Sequence, residues 1–166
     1  VSRYLKGYNP ETVQQAEAML DANKVGTWLL GRYPTRHSFA SERALYDFTQ
    51  ALKNQYMKSS NPISKVCYDD KIHVIDNALG LHKFVSRVQG NKLKAKNEIK
   101  ISSLFRAVPE PFLRMIVVHE LSHLREKSHD KAFYKLCNYM EPDYHQLEFE
   151  VRLYLAHKER YGELWS

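Results

Sequence analysis

One stretch carries most of the chain's chemistry: Met115-Ile-Val-Val-His119-Glu120-Leu-Ser-His123-Leu-Arg-Glu-Lys-Ser-His129. On a helix of about 3.6 residues per turn, two residues four apart are rotated by about 400°, so His119 and His123 leave the same face one turn apart. Two imidazoles at that spacing can grip one Zn²⁺ through their ring nitrogens. Glu120 sits about 100° round the helix, within reach of a water on such an ion without having to ligate it, which is where a general base belongs. A catalytic zinc site keeps a third protein ligand and one open position. His129 is the first candidate for that third ligand, with Glu141, His145, Glu148 and Glu150 as rivals further along the chain. On an unbroken helix His129 would lie about 9 Å beyond His123 and point elsewhere. The helix is therefore expected to end between 125 and 127, with Ser128 or Asp130 capping the next one. Phe112, Leu113, Ile116, Val117 and Leu121 mark the segment as core, and two imidazoles and a carboxylate are costly to bury there unless they have partners.

These side chains need elements to hold them. Pro10 and Glu11 open a helix-like pattern over 10–30 that carries Val13, Ala16, Leu20 and Trp28 and is broken by Gly31 and Pro34. A second helix starts near Ser41, which can cap it, and buries Leu45, Phe48, Leu52 and Tyr56. From Ile63 the pattern turns β-rich: 65–69 and 71–75 read as a hairpin about Asp70, 84–88 as another strand, and 92–101 as the clearest one. In that last strand Leu93, Ala95, Ile99 and Ile101 share one face, interrupted by Asn97, and Lys92, Lys94, Lys96, Glu98 and Lys100 share the other. Helical patterns return over 109–125, 130–140 and 143–161. The expected architecture is α+β, with a largely antiparallel sheet. It divides as a helical part over 1–60, a sheet over 61–107 and metal-binding helices over 108–166 of one domain.

Composition is that of a folded globular chain: 166 residues, 43% hydrophobic, 27% charged, with eleven Tyr, seven Phe and two Trp. The aromatic content argues against disorder, and Cys67 and Cys137 are too few for a disulfide scaffold. No apolar run approaches the length of a membrane span, and the first residues lack the apolar stretch of a signal peptide. The cytoplasm is the expected location, with no membrane partner. The net charge of +6 is distributed unevenly, at +3 over 1–60, +5 over 61–107 and −2 over 108–166. The lysine face of 92–100 (Lys92, Lys94, Lys96 and Lys100) is a candidate for weak contact with an anion or nucleic acid, although lysines on an exposed strand also prevent edge-to-edge association. Tyr134, Tyr139 and Tyr144 are candidate phenolic donors to an oxyanion, though their helical spacing fits core packing. Cys137 and Cys67 read as small buried hydrophobes. His37, His73, His82 and His157 carry no ligand spacing.

The run HELSHLREKSHDKAFYKL resembles the motif of the YgjP-like zinc metallopeptidase family, related to the WLM and SprT-type minimal zincins. Their pattern is His-Glu-x-x-His, a third His six residues later, then an aromatic after a short gap, which falls here on His119, Glu120, His123, His129 and Phe133. The resemblance continues through Lys71-Ile-His-Val, Ala78-Leu-Gly-Leu-His82, Ser86-Arg87, the lysine-rich strand and Pro109-Glu-Pro-Phe-Leu-Arg-Met, and so covers nearly the whole chain. It departs at Ser86-Arg-Val-Gln-Gly90, where broader relatives carry Ser-Arg-Trp-Gly-Ser-Cys, and at Glu126, where many zincins place glycine. The resemblance implies a minimal zincin-like domain, one zinc ion on His119, His123 and His129, Glu120 as base, and hydrolysis of peptide or protein substrates. It also makes Arg87 a candidate substrate-orienting residue. Some members carry a different label, nucleoside-triphosphate pyrophosphohydrolase acting on UTP, so that activity stands as the alternative. A third reading, a non-catalytic metal-stabilised module on DNA or a ribonucleoprotein, is disfavoured by Glu120, since a structural site needs no base.

Overall fold

The structure, a computed structural model, describes residues 2–72, 86–89 and 96–166. After a short 3-10 turn at Arg3–Leu5, Asn9 opens the first helix by accepting a hydrogen bond from the Thr12 N–H at 2.8 Å. Pro10 fills the first turn, where a missing N–H leaves nothing unpaired. This helix, α1 (Pro10–Asp21), stops ahead of Asn23, whose φ of 53° lies in the left-handed region that Asn tolerates better than most residues. The chain then restarts as α2 (Val25–Arg32). The single helix expected over 10–30 is thus two, and Gly31 lies inside the second instead of ending it. One left-handed residue leaves the apolar spacing on either side intact, so periodicity does not register the break. Gly26 lets α2 lie close to the last helix: a Cβ there would stand 3.0 Å from the His157 ring, which would have to give way by a few tenths of an ångström.

Ser41 caps α3 (Glu42–Tyr56) as its sequence suggests, with Oγ accepting from the Ala44 N–H at 3.1 Å. Leu45 and Leu52 are buried, and Phe48 and Tyr56 are half-buried against the same core. The strands β1 (Ile63–Asp69), β2 (Ser86–Gln89) and β3 (Lys96–Ser102) form one sheet in the order β1-β3-β2. β2 runs antiparallel to β3, with Arg87 opposite Glu98, whereas β1 runs parallel to β3, with Val66 opposite Ile99. The mostly antiparallel sheet is therefore corrected to a mixed one. Closeness in sequence suggests a hairpin, but the neighbour of β1 in the described sheet is reached by a long crossover, as parallel pairing requires. The 73–75 part of the expected hairpin and the segment 92–95, with Lys92 and Lys94, lie outside the described residues. In β3, Ile99 and Ile101 are buried as expected, and Asn97 is buried with them, its amide donating to the Pro62 carbonyl at 3.3 Å.

A second 3-10 turn, Ser103–Ala107, leads to α4 (Glu110–Ser122), followed by α5 (Lys131–Met140) and α6 (Tyr144–Tyr161). Helix α4 packs against α3, β3, α5 and α6. From Phe112 to Ser122 every residue except Arg114 is buried. A helix enclosed on all sides is apolar on all sides, which makes the polar groups it does carry conspicuous. The class is α+β, with the helix bearing the histidine motif as its central element. Among the described residues no helix is long and apolar enough to cross a membrane.

Candidate metal centre

The last turn of α4 presents His119 and Glu120, and His123 is the residue that ends the helix. The end is made by tightened bonds: the His123 N–H reaches the Glu120 carbonyl at 3.2 Å, the Leu124 N–H that of Leu121 at 3.0 Å and the Arg125 N–H that of Ser122 at 3.1 Å. The helix thus stops three to five residues earlier than the sequence suggests, with no glycine needed at Glu126. Asp130 then starts α5, its Oδ1 accepting from the Phe133 N–H at 3.0 Å. Of the two proposed caps, Asp130 is the one used. His129 lies immediately before it, and the reversal of the chain brings it back beside His123.

The three imidazoles form a near-equilateral triangle, with ring centroids 5.0, 5.0 and 4.9 Å apart. Phe133 touches all three, at 4.9, 4.5 and 5.0 Å from His119, His123 and His129, and so forms an apolar wall under the cluster. One nitrogen of each ring lies within 4.8 Å of the others, and Nε2 of His123 is 3.0 Å from Nε2 of His129. Nitrogens sharing one zinc at ~2 Å in a tetrahedral shell stand about 3.3 Å apart, so the donor set fits such an ion after small adjustments. The opposite nitrogens are engaged elsewhere. Nδ1 of His123 donates to the Glu126 carbonyl at 2.9 Å, and Nδ1 of His119 lies 2.7 Å from the Tyr144 hydroxyl. Burial pushes the His123 imidazole down to about 4 and lowers that of His129, so both are neutral at pH 7, the form a metal requires.

Glu120 is fully buried, and loss of hydration pushes its carboxyl well above the usual carboxylate range. A cation held by the neighbouring imidazoles would favour its ionised form. The rival ligands are not in the triangle. Glu150 pairs with Arg32 at 2.9 Å and accepts from the Tyr33 hydroxyl. Glu141 accepts from the Asp143 N–H at 3.0 Å, His145 lies against Tyr134 and Asn138, and Glu148 accepts from the Tyr144 hydroxyl at 3.3 Å.

Tyr139 is 63% exposed on the far side of α5 from the buried Phe133, which removes it as an oxyanion donor. Tyr134 is half-buried, its ring 6.5 Å from that of His129. Tyr144 is fully buried behind His119, a contact that local spacing does not reveal because it joins α6 to α4. Its signal in the sequence is a stripe of Tyr144, Glu148 and Arg152 at four-residue intervals on a buried helix. Cys137 is buried, with its thiol on the Ser122 hydroxyl at 3.2 Å, and Cys67 is buried in β1; both are free thiols. Lys100 lies 3.8 Å from Asp69, so that member of the lysine face is paired. His73, His82 and the Arg87 side chain lie outside the described residues, as does the side chain of Lys96.

A model of the YgjP-like metallopeptidase domain matches residues 40–152. A protein of Escherichia coli (strain K12) named UTP pyrophosphatase is 57% identical over 153 residues, which cover 92% of this chain and 92% of that protein. No solved structure matches.

Proposed function

The chain belongs to the YgjP-like family of metal-dependent hydrolases, and from that premise we propose that it cleaves a nucleoside triphosphate, UTP foremost, into the monophosphate and pyrophosphate. The observation that carries this substrate is the 57% identity, extending over 92% of both chains, to the protein named UTP pyrophosphatase. The sequence alone ranks the peptide bond first. Nothing in the three-imidazole geometry prefers carbon to phosphorus as the atom attacked, and the relative's name is what supports phosphorus.

In this reading His119, His123 and His129 would hold the ion, taken as zinc because three imidazoles are a donor set that suits it. When bound, the ion supplies Lewis-acid polarisation of the scissile group and lowers the pKa of a water toward ~7. Glu120 takes a proton from the attacking water on its carboxylate and returns it to the leaving group. Phe133 keeps the wall beside the imidazoles dry, which strengthens every charge interaction at the site. Residues 1–166 act as one metallohydrolase domain, and the two free thiols suit a cytoplasmic location.

A second reading, a zinc metallopeptidase, is favoured by the His-Glu-x-x-His arrangement and by the description of the family domain. One experiment separates the two. Wild type and Glu120→Gln are purified, their zinc is counted, and each is assayed on UTP and on a denatured-protein mixture, with and without chelator. About one zinc in both proteins, with pyrophosphate release about 10²–10⁴-fold slower in the variant, supports the proposal. Chelator-sensitive proteolysis by the wild type alone, with UTP untouched, transfers the same residues to the peptidase reading. A wild type that takes up no metal ends both.

A further inference from the structure

Helix α6 places Tyr144, Glu148 and Arg152 one above another, and all three are buried or nearly so. The Tyr144 hydroxyl lies 2.7 Å from Nδ1 of His119 and donates to Oε2 of Glu148 at 3.3 Å. Behind Glu148, Nε of Arg152 stands 4.0 Å from Oε1, while its Nη1 donates to the Tyr4 carbonyl at 3.0 Å and its guanidinium lies over the Tyr8 ring. Burying a carboxylate and a guanidinium in a helix core is no route to stability, since apolar residues of similar volume serve as well or better. The chain ends on an imidazole of the candidate metal site, which is what gives it a use.

We propose that Tyr144, held in place by Glu148 and Arg152, is a positioning residue that fixes the tautomer and orientation of His119 for metal binding; this rests on the metal reading above. A carboxylate only accepts, so the phenolic proton points to Glu148 and the phenol oxygen faces His119 as an acceptor. Nδ1 of His119 then carries its proton, and the lone pair sits on Nε2. The Glu126 carbonyl imposes the same state on His123, because a carbonyl also only accepts. One backbone group and one buried phenol thus prepare two rings of the triangle in advance. Outer partners of this kind orient a ligand and raise its basicity, and their loss costs about 10–100-fold in metal affinity.

The test is competitive zinc titration against a chromophoric chelator for wild type, Tyr144→Phe, Glu148→Ala and Tyr154→Phe. The last removes a hydroxyl from another buried tyrosine of α6, which bonds to the Leu164 backbone. Alongside it, ¹⁵N-histidine NMR of the zinc-free proteins at pH 7.5 reads the tautomer of His119. The expected result is zinc binding weakened about 10–100-fold in Tyr144→Phe, a weakening in Glu148→Ala, no change in Tyr154→Phe, and an Nδ1–H tautomer in wild type that becomes mixed in Tyr144→Phe. Wild-type affinity in Tyr144→Phe, or an unchanged tautomer, overturns the proposal while leaving the metal site standing. Should Tyr144→Phe not fold, Glu148→Ala carries the test, and undiminished affinity there overturns it equally. A wild type that binds no zinc removes the metal reading and this inference together.

Discussion

His37 and the cluster of His119, His123 and His129 are both drawn away from water, yet they use their ring nitrogens differently. His37 spends both on neighbouring backbone: Nε2 donates to the Phe105 carbonyl at 2.7 Å, and Nδ1 accepts from the Phe39 N–H at 2.9 Å. One neutral tautomer satisfies both bonds, and the ring pins the segment before α3 to the turn at Ser103–Ala107. In the cluster, His119 and His123 each engage one nitrogen outside the triangle, and a nitrogen from each of the three rings converges on one point. Burial is therefore no mark of a metal site. The mark is the same atom type aimed at one place from three positions, with two of the rings turned there by a partner on the other side.

The largest effect expected from this contrast is on metal affinity. His129→Ala should weaken zinc binding by more than the ~100-fold that loss of an outer partner costs, whereas His37→Phe should bind zinc as wild type does, both measured by chelator competition. Equal losses in the two variants would erase the distinction between the regions. Next comes stability. Zinc at 100 times its dissociation constant adds about 2.7 kcal/mol to a protein that binds it only when folded. A chelator should therefore lower the melting temperature of wild type and of His37→Phe by the same several degrees, and leave His129→Ala where it is.

How far the sequence reads ahead of the structure differs between the same two regions. The triangle is legible because two ligands share one helix and the third follows within a turn-and-cap, so spacing and Asp130 together nearly determine it. The fold around it is legible where a cap or a periodic face is local, as at Ser41 and in α5 and α6. It is not legible where the decisive contact is distant. The parallel partner of β1, the Tyr144 hydroxyl behind His119 and the bond from His37 to the Phe105 carbonyl all join segments tens of residues apart, and single-chain periodicity carries no record of them. The break at Asn23 is a local miss of another kind, a single left-handed residue in an otherwise continuous pattern.

Within the structural region, His37→Phe sharpens the contrast. It keeps the ring's volume but leaves the Phe105 carbonyl and the Phe39 N–H unbonded, and an unbonded buried polar group costs about 1–3 kcal/mol. A loss of about 2 kcal/mol in urea unfolding at pH 7.5, with zinc content unchanged, is expected; a loss within error of zero would mean that the two bonds add nothing.

The smallest effect is in pH, and its sign follows from the tautomer. Burial holds the His37 imidazole below its ordinary value, against the opposing influence of the Phe105 carbonyl and Glu110 and with a lesser push from Arg36. Its folded form must keep Nδ1 unprotonated to accept from Phe39. Well above about pH 6.5 neither folded nor unfolded chain binds the proton, and the stabilisation is whole. As pH falls below that value the unfolded chain takes up a proton that the folded one refuses, so stability is lost toward the lower folded value, by at most about 1.4 kcal/mol per pH unit. The zinc-free His123 and His129 rings and His157 shift in the same direction, so wild type alone cannot isolate the contribution. The difference between wild type and His37→Phe can, since the other rings are common to both. In zinc-free protein the wild-type advantage in urea should shrink as the pH is lowered from 7.5 to 5.5. A difference constant across that range would show that His37 takes its proton equally well folded, and would remove the single-tautomer pin from which the contrast between the two regions was drawn.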